Sequence, residues 1–224
     1  NNKSWRRCCN KGSSCTTWSI NVSEIKIHEQ FYDDGKIRSR STMVNGVLEG
    51  KFETFDENGN LEIRMSYVDG ILSGPSETYY KGIITTRRVY KNNKLNGPAT
   101  IFSSNELVNA EVIYLDGEID GEARYYSHGK ISRIVNYRKG LMEGLTKQFS
   151  ETGVLIYQAE YKNGELHGIS KTFSADGVLV EISFYENGKE DKEKSADATA
   201  RFLDSQEEEK GIKNKLSSIF RGED

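Results

Sequence analysis

The stretch that decides the fold reads Tyr161-Lys162-Asn163-Gly164-Glu165-Leu166-His167-Gly168 and is followed by Phe173. It contains a tyrosine, two glycines separated by three residues, an apolar residue between those glycines, and a later aromatic residue. The position of the first glycine recurs at residues 46, 70, 93, 117, 140, 164 and 188, at intervals of 23 or 24 residues. A fixed interval of roughly 20–50 residues is the signature of a repeat array.

The paired glycine positions are predicted to be structural turns. They are occupied by Gly46 and Gly50, Gly70 and Gly74, Asn93 and Gly97, Gly117 and Gly121, Gly140 and Gly144, and Gly164 and Gly168. Asparagine tolerates a left-handed backbone better than most residues, so Asn93 indicates a positive φ at its position. A separate turn glycine recurs at Gly35, Gly59, Gly82, Gly129, Gly153 and Gly177, and we expect Asn105 to take the same conformation at the vacant place.

Aromatic residues recur at two further positions of each repeat. They form a predicted structural ladder of Phe55, Tyr67, Tyr79, Tyr90, Phe102, Tyr114, Tyr126, Tyr137, Phe149, Tyr161, Phe173 and Tyr185, whose rings we expect to pack against each other. Strand-forming residues lie between turns of Gly, Asn and Asp, which predicts β-hairpins. A lone hairpin is unstable in water, whereas stacked repeats stabilise each other. The predicted fold class is therefore all-β, an elongated, twisted antiparallel sheet of stacked hairpin repeats.

Composition and charge exclude some classes of function. The 224 residues include 34 acidic and 31 basic ones, and a net charge of -3 argues against general binding of nucleic acid. No apolar run approaches the roughly 20 residues that span a bilayer, so we expect a soluble or peripheral protein. The chain begins at Asn1 without an initiator methionine or an apolar leader, so we expect a processed or shortened form from which any targeting segment is already gone. The compartment stays open.

The pattern Tyr-x-x-Gly-x-Leu-x-Gly with its later aromatic residue resembles MORN repeats. The interval and the second turn glycine resemble most closely the longer MORN-repeat variant, found in many bacterial proteins named as YwqK-family antitoxins. The resemblance covers about residues 29–189. It implies hairpins joined into an elongated sheet, with roles in protein–protein contact, in scaffolding or near membranes. The antitoxin label implies that the chain binds and neutralises a partner toxin.

The flanks of the array lack the repeat, so the predicted organisation is an arm at 1–24, the array at 25–190 and a charged, helical tail at 191–224. The arm contains Trp5, Cys8, Cys9 and Cys15, whose spacing does not match a zinc site. Whether these cysteines are free, paired or modified stays open.

The tail is predicted to hold a short helix at Ala196–Glu209, which Gly211 separates from a second segment. The apolar residues of the second segment share one helical face: Ile212, Leu216, Ile219 and Phe220. Two interpretations remain open. The tail either covers the last open edge of the sheet or, together with Trp5, docks a partner.

The sequence offers no enzymatic motif, and we predict no catalytic, metal-binding or cofactor-binding residue. His128 and His167 occupy positions that vary between repeats, which indicates solvated side chains. Six arginines suggest a mildly basic stripe that intervening acidic residues dilute: Arg64, Arg87, Arg88, Arg124, Arg133 and Arg138.

The predicted function is therefore a non-enzymatic protein–protein interaction module or a scaffold subunit of a larger assembly. The alternatives are an antitoxin-type binder and a membrane-surface adaptor. The expected partner is another protein or a multi-subunit complex, with peripheral membrane contact as an option. We expect no small-molecule substrate and no nucleic acid. The sequence does not identify the partner.

Overall fold

The computed structural model describes residues 24–221, without the side chains at 206–207, 210–211 and 214–221. It consists of one β-sheet followed by one helix. The strands are β1 Ile25–Phe31, β2 Ile37–Val44, β3 Val47–Phe55, β4 Leu61–Val68, β5 Ile71–Tyr80, β6 Ile83–Lys91, β7 Lys94–Leu95, β8 Gly97–Phe102, β9 Val108–Leu115, β10 Glu118–Ile119, β11 Gly121–Ser127, β12 Lys130–Arg138, β13 Leu141–Met142, β14 Gly144–Phe149, β15 Leu155–Lys162, β16 Glu165–Phe173, β17 Leu179–Glu186 and β18 Lys189–Glu190. The helix α1 spans Lys192–Arg221.

The sheet is an antiparallel meander, in which strands that follow each other in the chain pair with each other. Where a repeat's second glycine interrupts a strand, its two pieces pair with the same neighbour, as β7 and β8 do with β6. The sheet does not close on itself. The predicted all-β class with a C-terminal helix is confirmed.

The first glycine of each pair lies in a two-residue hairpin turn. In the turn between β4 and β5, Val68 pairs with Ile71, which leaves Asp69 and Gly70 as the central residues. Both have positive φ, 50° and 76°. This is the type I′ geometry, whose twist matches that of the flanking strands. Asn93 shares it with a φ of 65°, as the sequence predicted.

The turns at the opposite ends of the hairpins have two lengths, and this explains the alternation between 23 and 24 residues. Between β5 and β6 the turn again has two central residues, Lys81 and Gly82. Between β3 and β4 the turn is one residue longer. There the Gly59 N–H donates to the Asp56 carbonyl at 2.9 Å, and the Asp56 N–H donates to the Asn60 carbonyl at 2.8 Å. The interval from Gly70 to Asn93 contains the shorter kind.

One predicted turn residue is wrong by one position. Glu106, and not Asn105, has the positive φ, at 62°. Its N–H donates to the Ser103 carbonyl at 3.0 Å, which repeats the bond of the longer turn. The sequence separation between Phe102 and Glu106 equals that between Phe55 and Gly59. The hydrogen-bonded turn therefore fixes which position has the positive φ, even where the residue is a glutamate.

The two faces of the sheet differ in burial. All buried strand residues lie on the face that also carries Tyr67, Tyr90, Tyr114, Tyr137, Tyr161 and Tyr185, which we call the tyrosine face. Its central row consists mostly of small residues, and Ala123, Val135 and Ala159 are fully buried. Tyr114 and Tyr137 are among the residues that pack against this row. The opposite face, which carries Glu53, Arg64, Glu77 and Arg87, is called the charged face.

The aromatic residues do not form the ring-on-ring ladder that we expected. The tyrosines at first-glycine turns lie on the tyrosine face, whereas Tyr79 and Tyr126 bond to carboxylates on the charged face. Within one column, successive rings stand on every second strand, which places them about 10 Å apart. Tyr67 is opposite Gly50 on one side and Leu72 on the other. The rows therefore alternate aromatic with glycine or aliphatic residues.

The tail forms one continuous helix. It begins at Lys192, where the Lys194 N–H donates to the Asp191 carboxylate at 3.1 Å. It passes through Gly211, so the predicted separation at that residue is wrong. A glycine inside a helix costs only about 1 kcal/mol, which good helix-forming neighbours offset.

Candidate functional site

The repeated turn positions are engaged in holding the repeats together. The Gly70 N–H donates to the Leu48 carbonyl of the preceding turn at 2.8 Å, and the Asn93 N–H donates to the Leu72 carbonyl at 2.9 Å. The same bond recurs at Gly117, Gly140, Gly164 and Gly188. These backbone groups are thereby used by the fold, so partner-specific chemistry is expected elsewhere.

The residue before the second glycine has a structural role that sequence reasoning missed. The Glu49 carboxylate accepts a hydrogen bond from the Asp69 N–H at 2.7 Å, and the Glu143 carboxylate accepts one from the Asn163 N–H at 2.9 Å. His167 occupies the same position of its repeat, and its Nδ1 is buried without a hydrogen-bond partner. The interpretation of this column as solvated is therefore incomplete, because its acidic members cap the next turn.

The charged face carries a ladder of ion pairs across neighbouring strands. Arg64 Nε lies 2.8 Å from Glu53 Oε1, and Arg64 Nη1 lies 3.3 Å from Glu77 Oε2. Arg87 Nε lies 3.0 Å from Glu77 Oε1. The Tyr79 hydroxyl donates to Glu77 at 2.7 Å and, with Arg87 and Arg64, lowers the pKa of that carboxyl. The acidic and basic groups of this ladder neutralise each other.

The six arginines of the predicted stripe fall into two groups. Four form salt bridges with glutamates: Arg64, Arg87, Arg124 and Arg138. Arg88 and Arg133 lie on the tyrosine face, since they pair with Ser76 and Tyr125 of the adjacent strands. Neither of the two forms a salt bridge with a residue in 24–221. Acidic residues therefore offset the positive charge of the arginines on the charged face only.

The acidic residues of the central strands are confined to the charged face. At the paired positions of β5 to β15 they are Glu77, Glu111, Glu118, Glu122 and Glu160, each one residue away from a position on the tyrosine face. Side chains alternate between faces along a strand, so none of these carboxylates lies beside Arg88 or Arg133.

Arg133 lies among tyrosines. Its guanidinium is 4.7 Å from the centre of the Tyr125 ring, within the range of a cation–π contact. The Tyr125 hydroxyl lies 3.4 Å from the Tyr137 hydroxyl. Burial, with a smaller contribution from the bond to Tyr125, raises the pKa of Tyr137 to about 12. Arg133 itself is exposed, which leaves its guanidinium available to an anion.

Arg88 lies among hydroxyl groups. It is half-buried, faces the buried Ser76, and is flanked along its own strand by Thr86 and Tyr90. The Thr78 and Thr86 hydroxyls are 2.6 Å apart. A half-buried guanidinium without a carboxylate partner among residues 24–221 is costly to desolvate, so an incoming anion would stabilise Arg88.

The last strand edge is covered by the first turns of α1. The Thr199 hydroxyl accepts a hydrogen bond from the Ile182 N–H and donates one to the Ile182 carbonyl, both at 3.0 Å. The Ser195 hydroxyl accepts a hydrogen bond from the Phe184 N–H at 3.0 Å. These hydroxyls replace the bonds that a further strand would make to β17, so this part of the helix acts as an edge cap.

The predicted docking residues lie beyond this cap. Ile212 is 60% exposed on α1. Leu216, Ile219 and Phe220 are on the same helix, and their side chains are outside the described part of the structure. Trp5, Cys8, Cys9 and Cys15 also lie outside the described residues. Docking by these residues stays a prediction.

No helix within 24–221 is both long enough and apolar enough to cross a membrane. No group of three or more His, Cys, Asp or Glu side chains in that range is arranged to hold a metal ion.

A family model described as "MORN repeat variant" matches residues 48–69, 142–163 and 166–187. Each match starts at or next to the apolar residue between the paired glycines and extends through the following hairpin. The chain carries MORN-variant repeats. The match names the repeat and gives no support to the narrower antitoxin family. No curated protein matches the sequence of this MORN-variant array.

Among solved structures, the chain matches a mutant of S. aureus TarM in complex with Fondaparinux, alpha-GlcNAc-glycerol and UDP. The identity is 16%, and the alignment covers 47% of this chain and 21% of the TarM chain, with a TM-score of 0.32. A likeness at this level carries no argument about fold or function.

Proposed function

We propose that this MORN-variant array is a non-enzymatic protein–protein interaction module that serves as a scaffold subunit of a larger assembly. Repeats of this family generally mediate binding to proteins or membrane lipids and are typically non-catalytic. The observation that carries the proposal is the sorting of side chains between the two faces. The tyrosine face of β5 to β15 holds two arginines without carboxylate partners among residues 24–221, whereas Arg64 and Arg87 of the charged face are paired.

The division of labour within each repeat supports this proposal. Turn glycines and their neighbours hold the repeats together through bonds such as that from the Gly70 N–H to the Leu48 carbonyl. Positions that differ between repeats are free of this requirement and can specify a partner. Arg88 and Arg133 occupy such positions on a face that also presents tyrosines, and tyrosine and arginine are enriched at protein interfaces.

A photo-crosslinking experiment in cells that produce the chain tests the proposal. The full chain receives p-benzoylphenylalanine either at Thr86, on the tyrosine face, or at Thr100, on the charged face. Both residues are threonines of central strands, and both are half-buried, so they form a matched pair. We expect the chain to crosslink to one protein, in a fixed ratio, when the crosslinker is at position 86. We expect no such crosslink from position 100.

The other outcomes separate the alternatives. A chain that crosslinks to no protein from either position would contradict the interaction module. A captured protein that arrests growth when produced alone would indicate an antitoxin instead of a scaffold. Crosslinks to lipid from position 86, together with flotation of the chain on vesicles, would indicate a membrane-surface adaptor.

A further inference from the structure

We propose that the tyrosine face binds an extended acidic peptide of a protein partner, with Arg88 and Arg133 recognising its carboxylates. This inference rests on the proposed function and specifies the chemistry of the partner. Both arginines lie on one face, and neither forms a salt bridge with a described residue. Guanidinium groups bind carboxylates through two parallel hydrogen bonds, so a carboxylate is the complementary ligand.

The electrostatic contrast between the faces selects an anion. On the charged face, Glu77 already occupies both Arg64 and Arg87. On the tyrosine face of β5 to β15, the acidic side chains at paired positions are absent, because all of them project from the other face. An incoming carboxylate therefore meets two positive charges there without repulsion from a neighbouring carboxylate.

The spacing of the two arginines fits an extended chain. Arg88 is on β6 and Arg133 is on β12, and the pairs β6–β8, β8–β9, β9–β11 and β11–β12 connect them. Four strand spacings amount to about 19 Å. An extended peptide covers this distance with about six residues. Acidic residues separated by that number of positions reach both guanidinium groups when the peptide crosses the strands.

The surroundings of the arginines favour a peptide over a membrane surface. Arg88 is half-buried between Thr86 and Tyr90, and it faces the buried Ser76. A single side chain reaches a guanidinium that its neighbours partly cover, whereas a flat bilayer contacts protruding groups. Tyr125, beside Arg133, adds an aromatic surface and a hydroxyl that suit a polypeptide.

The test measures fluorescence anisotropy of the full chain with a labelled peptide of alternating glutamate and threonine, about 12 residues long. The control peptide has glutamine in place of glutamate. We expect binding of the glutamate peptide, weakened at least about tenfold by the double substitution Arg88→Gln and Arg133→Gln, and weakened by added salt.

A matched variant controls for net charge. Lys147→Gln and Lys171→Gln remove the same two charges from the charged face, where neither lysine forms a salt bridge with a described residue. We expect this variant to bind the glutamate peptide within about twofold of the unmodified chain, because its tyrosine face is unchanged. Circular dichroism and thermal melting of both variants check that the sheet remains folded.

Three results would overturn the proposal: equal losses in the two variants, equal binding of the glutamine peptide, or full binding by the arginine variant. Vesicles of phosphatidylcholine with about 20% phosphatidylserine form a separate arm. Flotation that depends on both arginines, without binding of the glutamate peptide, would identify a lipid surface instead. Equal crosslinking of a partner from position 86 in the unmodified chain and in the double arginine variant would support the interaction module. That result would contradict recognition of an acidic peptide by the two arginines.

Discussion

Gly117 and Gly74, at the first and second paired positions, are required for different reasons. Gly117, in a type I′ turn, has a φ of 98°, and a Cβ placed there would have open space around it. Gly74, inside β5, has a φ of 110°, and a Cβ there would lie 3.0 Å from the Ser66 Cβ. Gly117 therefore meets a demand of backbone conformation alone, whereas Gly74 meets demands of both conformation and space.

Substitutions at these glycines separate the two requirements. We expect Gly117→Asn to lower the free energy of unfolding by less than about 1 kcal/mol and Gly117→Val by about 2 kcal/mol, since a β-branched residue is strained at positive φ. Gly74→Ala is expected to cost more than Gly117→Ala because of the contact with Ser66. Urea denaturation measures all four variants, and equal losses at the two positions would contradict the distinction.

The pKa of Tyr137 links the tyrosine face to alkaline stability. Burial raises this pKa from 10.0 to about 12, so the folded state retains the proton that an unfolded tyrosine releases. The stabilisation is complete below about pH 10 and is lost as pH rises through about 12. We expect the free energy of unfolding to fall over this interval and to fall less steeply in Tyr137→Phe. Identical slopes in urea titrations of the two proteins would argue against a buried Tyr137 hydroxyl.

At the scale of the element, α1 shows one of the two roles that the sequence left as alternatives, the edge cap. Its first turns satisfy the backbone of β17 through Ser195 and Thr199. The remainder extends beyond that contact and carries the exposed Ile212. Capping by this helix is therefore an observed property of its first turns, and docking is a prediction for the rest.

Removing the two hydroxyls tests the edge cap. Ser195→Ala with Thr199→Val leaves the N–H groups of Ile182 and Phe184 without partners, which costs about 1–3 kcal/mol for each group that stays away from water. We expect a lower free energy of unfolding in urea and concentration-dependent association by light scattering, because the freed edge accepts another strand.

Deletion of residues 205–224 is the matched control, since it leaves Ser195 and Thr199 in place. We expect this shortened chain to keep the stability and β-type circular dichroism of the full chain but to bind its partner less tightly. If the deletion aggregates as the double variant does, the cap extends further along the helix than the hydroxyl contacts indicate.

At the scale of the whole molecule, the backbone conformation of the turns could be predicted from the sequence. The distribution of side chains between the two faces of the sheet could not. The type I′ turns followed from glycine and asparagine, because few other residues favour positive φ. The sequence did not show which residues lie on which face, because bulges interrupt the simple alternation along the strands. One such bulge is the register shift between Thr78 and Tyr79. Arg87 and Arg88 are adjacent in sequence, so alternation places them on opposite faces, but only the register shows which of the two lies beside Glu77.

The central claim concerns that sorting: arginines of the charged face hold the sheet together, and arginines of the tyrosine face bind a partner. Arg64 and Arg87 share Glu77, whereas Arg88 and Arg133 have no described carboxylate partner. The three-part organisation at 1–24, 25–190 and 191–224 stays a prediction around this claim.

Arginine-specific modification by phenylglyoxal, read by mass spectrometry with and without the glutamate–threonine peptide, tests the claim most directly. We expect Arg88 and Arg133 to react in the free chain and to be protected in the presence of the peptide, because bound carboxylates occupy their guanidinium groups. Arg64 and Arg87 should react slowly in both states, since Glu53 and Glu77 already engage them. Protection of Arg64 and Arg87 instead, or unchanged reactivity of Arg88 and Arg133, would contradict the account.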